Sequence, residues 1–129
     1  MTNAFTASGL FGDMFSDPDL AAMFSAASVL EHARAFEIAW TETLLSLDAV
    51  NRKDAEAALA AIQRYEPDVT TLGASSAVDG LPLPGYVQHL RKGLTDTQAK
   101  AIHTGTTSQD VLDTAMVLIL LGVLAELET

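Results

Sequence analysis

The chain has 129 residues, of which 49% are apolar and none is cysteine. That length fits one small domain or part of a larger one, the apolar content excludes wholesale disorder, and the lack of thiols excludes disulfides and thiolate zinc sites. Seven Lys/Arg against 17 Asp/Glu leave a formal net charge of −10, which disfavours nucleic acid and anionic membrane surfaces as partners, because both are bound through clustered cations.

The N-terminus, "MTNAFTASGLFGDMF", lacks the basic residues and continuous apolar stretch of a signal peptide. In "FSDPDLAAMF", Asp17 is an N-cap with Pro18 at the first helical position, a strong start signal. A short helical turn there leads into a longer predicted helix from about Ser25 to Val50. Leu30, Ala33, Phe36 or Glu37, Trp40, Leu44 and Leu47 recur at three- and four-residue steps, giving it an apolar face. Phe36 and Trp40 read as core residues rather than stacking platforms. Asn51 breaks this helix, and "KDAEAALAAIQRY" is a second run of strong helix formers stopped by Pro67.

A weaker helical segment covers about Val69 to Val78, followed by "DGLPLPG" as the clearest loop in the chain. A helix from Gly85 to Leu94 and a turn in "TDTQAKAI" come next. The last helix begins at Thr107 or Ser108, with Asp110 and Asp113 in its first turns, where acidic side chains suit the positive end of the helix dipole. No strand pattern or internal repeat stands out, so the fold class is all-α.

From Ala115 to Ala125 every residue of that last helix except Gly122 is distinctly apolar. The run is shorter than the roughly 18 residues needed to cross a bilayer, so the expectation is a soluble cytoplasmic protein with no membrane partner. A helix apolar all round must be buried on all sides, and a few short helices cannot cover it. Further chain or other subunits are expected against it, as in a fragment or an obligate oligomer.

The stretch that carries chemistry is "HTGTTSQDVLDTA", His103 to Ala115. Taken plainly, it is a loop ending in a hydroxyl N-cap at Thr107 or Ser108. It can equally be an anion site, because a helix N-terminus offers unpaired N–H groups and a partial positive charge. Gly105 lets backbone approach a ligand, while Thr106, Thr107, Ser108 and Gln109 add side-chain donors and His103 a further one. The three histidines, His32, His89 and His103, show no metal-ligand spacing, and no metal is expected. His89, in "YVQHLRK" beside Arg91 and Lys92, reads as helix surface.

"HTGTTSQDVLDTA" resembles the first signature region of the fumarase/aspartase superfamily, and its Thr-Ser-Gln-Asp form is most similar to the 3-carboxy-cis,cis-muconate cycloisomerase family. Phe24-Ser25 ahead of Phe36-Glu37-x-Ala39, and "PLPGYVQHLRK", resemble the same family. The resemblance implies an N-terminal helical domain leading into the first long helix of a central helical bundle. The implied boundaries are a lead segment over 1–24, a helical domain over 25–106 and the start of the bundle over 107–129. It also implies a homotetramer with sites shared among subunits, and cofactor-free acid–base chemistry on a small polycarboxylate, here lactonisation to 4-carboxymuconolactone in protocatechuate breakdown.

By position, Thr107 and Ser108 would hold a substrate carboxylate, with His103, Thr106 and Gln109 lining the pocket. Gly105, Asp110 and Asp113 would shape the turn. The family's later signature regions, which carry the general acid and base, have no counterpart here, so the resemblance implies one wall of a site and an inactive isolated chain. Thr106 replaces a usual alanine and Asp79-Gly80 a usual Gly-Asn. An adenylosuccinate lyase or related lyase, and a non-catalytic helical interaction module, stay open as alternatives.

Overall fold

The computed structural model describes residues 16–128. Residues 1–15, most of the expected lead segment, lie outside the described residues, as does Thr129. Within them the chain forms seven helices: α1 Pro18–Met23, α2 Ala26–Ser46, α3 Arg52–Arg64, α4 Val69–Asp79, α5 Leu83–Arg91, α6 Asp96–Ala99 and α7 Ser108–Leu127. There is no strand among the described residues.

Local chemistry sets most of the boundaries. Asp17 Oδ1 accepts the N–H groups of Asp19 and Leu20, Ser25 Oγ that of Ser28, and Asn51 Oδ1 that of Asp54. Each cap satisfies donors that a helix start leaves orphaned. Gly80 closes α4 in the left-handed region at φ 76°, a conformation that costs glycine nothing.

Two expected helices have different bounds. The long helix ends at Ser46 instead of Val50, and the expected Gly85–Leu94 helix is Leu83–Arg91, nucleated inside the proline-rich loop with Pro82 as its N-cap. A proline near N1 gives up an N–H that has no partner there anyway, so the loop residues start the helix instead of preceding it. Gly85 then has a packing role, because a Cβ there would stand 2.4 Å from Ser75 Oγ. The Ser75 side chain of α4 occupies the space that a Cβ at this position of α5 would need.

The core lies between α2, α3, α5 and the first half of α7, around Leu30, Ala33, Ile62, Tyr86, Ile102 and Val111. The face that α2 buries is Leu30, Ala33, Glu37, Thr41 and Leu44. Leu47, expected on it, is 70% exposed, because the helix ends before reaching it. At the ambiguous position Glu37 is the fully buried residue, while Phe36 packs partly buried beside the core and stacks on Trp40 with ring centroids 6.3 Å apart.

Helix α7 lies chiefly along α2 and buries only Val111, Ala115 and Ile119. Met116, Val117, Leu118, Leu120, Leu121, Leu124 and Leu127 are exposed. The expectation that the other helices could not cover this segment therefore holds for the described residues. No helix among them is long and apolar enough to cross a membrane.

Candidate functional site

The loop between α6 and α7, residues 100–107, is held at four consecutive points. Thr41 Oγ1 donates to the Ala101 carbonyl at 2.9 Å, Arg91 Nη2 to the Ile102 carbonyl at 2.6 Å, and Trp40 Nε1 to the Thr104 carbonyl at 2.8 Å. Between these anchors, His103 Nδ1 lies 2.6 Å from Glu37 Oε1. Three of the four holders, Glu37, Trp40 and Thr41, come from a single turn of α2.

This over-determination explains the backbone of His103, which sits in the left-handed region at φ 57°. A non-glycine residue there is uncommon, and such a conformation persists when its surroundings impose it. Gly105, at φ 81°, takes the same region without cost. A Cβ on Gly105 would find only Trp40 Cζ2 at 3.9 Å, so its conformation, and not crowding, calls for glycine.

Beyond the loop, Thr107 is the N-cap of α7. Asp110 Oδ2 accepts both the Thr107 N–H, at 2.8 Å, and the Thr106 hydroxyl, at 3.0 Å. Those two bonds, the backbone one first, hold the Asp110 carboxyl below its ordinary pKa of 3.8. Gln109 Nε2 donates to Asp113 Oδ1 one turn further on. The two aspartates therefore shape the turn by engaging the Thr106 and Gln109 side chains.

His103 and Ser108 open onto a cleft of about 750 Å³, whose other wall is α5. That wall contributes Leu83, Pro84, Val87, Gln88, His89, Arg91 and Lys92. Among the described residues no acidic one lines the cleft, although acidic residues outnumber basic ones more than two to one in the chain as a whole. A local site of this kind overrides the global field and favours an anion. Of the expected binding residues, His103 and Ser108 line it, while Thr106, Thr107 and Gln109 do not.

His89 departs from its surface reading. Its ring is stacked on Tyr65 at 6.0 Å and 8°, its Nδ1 lies 2.8 Å from the Gly85 carbonyl, and it lines the cleft beside Arg91 and Lys92. The aromatic contact to α3 turns this face of α5 inward, which the local sequence could not reveal.

Glu37 was the site residue hardest to see. It is fully buried, and its Oε2 has no hydrogen-bond partner. Burial raises its pKa above the ordinary 4.5, against the opposing pull of His103 and then Arg91. One signal was available: a carboxylate in the apolar stripe Leu30–Ala33–Glu37–Thr41–Leu44 is rarely buried without a partner. Among the described residues, no group of three or more His, Cys, Asp or Glu is placed to hold a metal ion.

No protein-family model matches the chain, and no curated protein does. Solved structures do. The chain is similar to a fumarate lyase from Mesorhizobium sp. BNC1, with a TM-score of 0.80 and 28% identity over 86% of this chain and 26% of that one. It is also similar to the 3-carboxy-cis,cis-muconate lactonizing enzyme from Pseudomonas putida, with a TM-score of 0.74 and 30% identity over 92% of this chain and 28% of that one. The chain thus spans little more than a quarter of the length of either neighbour. These neighbours support the fumarase/aspartase superfamily, and the architecture is the all-α N-terminal helical domain of that fold.

Proposed function

We propose that the chain is the N-terminal portion of a 3-carboxy-cis,cis-muconate cycloisomerase-like enzyme, and that its contribution to the site is a wall that binds and orients a polycarboxylate. The observation that carries this reading is the cleft, free of acidic residues among those described, that joins His103 and Ser108 at the start of α7 to Arg91 and Lys92 at the end of α5. Ser108 and the first-turn N–H groups would take one carboxylate, aided by the helix dipole. Arg91 and Lys92 would take a second across the cleft, fixing the length of the substrate.

Binding at two ends orients the diene so that one carboxylate can close on the double bond. No general acid or base for that closure is assigned within these residues, and the isolated chain is expected to bind without turnover. The implied partners are the small polycarboxylate and, through α7, further copies of the chain in a homotetramer. The bare face of α7 supports that second expectation.

A second reading draws on His89. With Arg91 and Lys92 it supplies the cations that a nucleotide phosphate needs, as an adenylosuccinate lyase would require. Titrating the labelled chain with 3-carboxy-cis,cis-muconate and with adenylosuccinate separates the two by magnetic resonance. The proposal expects saturable shifts at His103, Ser108 and Arg91 with the muconate at lower concentration than with adenylosuccinate. The reverse order favours the lyase, and no shift with either ligand overturns the site.

A further inference from the structure

We infer that Glu37 is a positioning residue for His103, whose Nε2–H it makes available to the anion in the cleft, so that ligand binding is coupled to one proton held by the Glu37–His103 pair. The inference rests on reading the cleft as a polycarboxylate site. It adds the identity of the donor and the condition under which it donates.

Three features of the pair carry it. Glu37 is fully buried and can reach no water, whereas His103 keeps 14% of its side chain exposed and lines the cleft. The 2.6 Å contact uses Nδ1, leaving Nε2 as the only other polar atom of the ring. Ring orientation is fixed further by backbone, since the flanking carbonyls of Ile102 and Thr104 are tied to Arg91 and Trp40. Glu37 therefore acts on the ligand through the ring, without touching it.

The proton count follows from the geometry. With one proton more, the pair is either a carboxylate facing an imidazolium or a carboxylic acid facing the Nε2–H tautomer. Nε2 carries hydrogen in both arrangements, so the outcome does not depend on where the shared proton rests. When the pair loses that proton, the remaining hydrogen sits on Nδ1, in the bond to Glu37. Nε2 then presents a lone pair, which repels an anion. A bound carboxylate consequently stabilises the protonated pair, and binding above its titration draws one proton from solution.

Other charges around the pair act from every element packed on it. Arg91 of α5 favours ionised Glu37, and the Tyr86 phenol of the same helix lies within its influence. His89 and Lys92 line the cleft with His103, and Asp110 of α7 is close enough to feel it. Of these, His89 is the other imidazole on the cleft, and its substitution separates its contribution from that of the pair.

The test uses the full chain and tricarballylate, a tricarboxylate, over the pH range where its own carboxyls stay ionised. Calorimetry in buffers of different ionisation enthalpy should show uptake of up to one proton per ligand and affinity falling by about tenfold per pH unit on the alkaline side. Glu37→Gln should abolish the uptake and weaken binding about tenfold near neutrality, and Glu37→Asp should restore part of both. His89→Gln should lower affinity yet keep the uptake.

Nitrogen shifts of the His103 ring give a readout in the unsubstituted chain, should either Glu37 variant fail to fold. Free protein at high pH should show the Nδ1–H form, and ligand should restore hydrogen at Nε2. Binding with no proton uptake, or an Nε2–H ring at high pH without ligand, overturns the role of Glu37 and leaves the cleft's function standing. No binding at any pH overturns both.

Discussion

Residues 108–115 and 116–127 belong to one helix, α7, yet meet opposite surroundings. The first half starts at the Thr107 cap, whose N–H Asp110 accepts, buries Val111 and Ala115, and adjoins a loop tied to α2 and α5 through Glu37, Trp40, Thr41 and Arg91. The second half buries Ile119 and otherwise shows leucine, valine and methionine to solvent. Polar side chains tie down the end where the proposed ligand binds. Apolar contacts are missing at the end where the family resemblance implies other copies. One end of the helix is packed by its own domain, and the other leaves its apolar side chains exposed among the described residues.

Adjacent residues allow that contrast to be broken most sharply. Ile119 is 2% exposed and Leu120 is 44% exposed. In the dilute monomer, Ile119→Ala should cost about 2–5 kcal/mol in denaturant unfolding. Leu120→Ala should stay within about 0.5 kcal/mol. Equal costs in the monomer would mean that α7 is covered on both faces within this chain. Next in size is association. Sedimentation equilibrium should show concentration-dependent self-association, and the double substitution Leu121→Glu with Leu124→Glu should weaken it by at least tenfold, each leucine contributing about 1.5–3 kcal/mol when buried. A chain that stays monomeric at every concentration would remove the support for an oligomeric bundle.

At the packed end, two carboxylates titrate in opposite senses. The Glu37 carboxyl is raised by burial, so the folded state keeps a proton that the unfolded chain has lost. Its contribution is therefore most favourable below about pH 4.5 and declines as pH rises through the folded value. Glu37→Gln should flatten that part of a plot of unfolding midpoint against pH. Asp110 is lowered, so its contribution is present above pH 3.8 and is lost as pH falls through its folded value. Asp110→Asn should remove only that acid-side loss and should give the smallest shift in midpoint of the set.

The sequence made the helical class readable through periodicity and caps, and Asp17 and Ser25 marked helix starts that the structure keeps, while Asn51, read as a break, also caps the next helix. It also exposed the α7 problem, because an eleven-residue apolar run has no solvent face to offer. Its failures were of one kind. Pro82 and Pro84 were legible as a loop, but whether a proline ends a loop or begins a helix depends on what the helix packs against. His89, Arg91 and Lys92 looked like surface because their neighbour across the cleft, His103, is 14 residues from His89 in sequence and reaches it only through the fold. Glu37 stood on the apolar face only as an alternative to Phe36, and its partner lies 66 residues away. Local patterns report helix faces, and they do not report which faces meet.

The most direct test of the account is to mix the 129-residue chain with 3-carboxy-cis,cis-muconate and follow binding by calorimetry and lactone formation by absorbance in the same samples. The account predicts saturable binding, strengthened at lower pH, with the ligand recovered unchanged. Robust lactonisation by this chain alone would contradict the claim that it supplies one wall of the site, and absence of binding would contradict the claim that the wall is there.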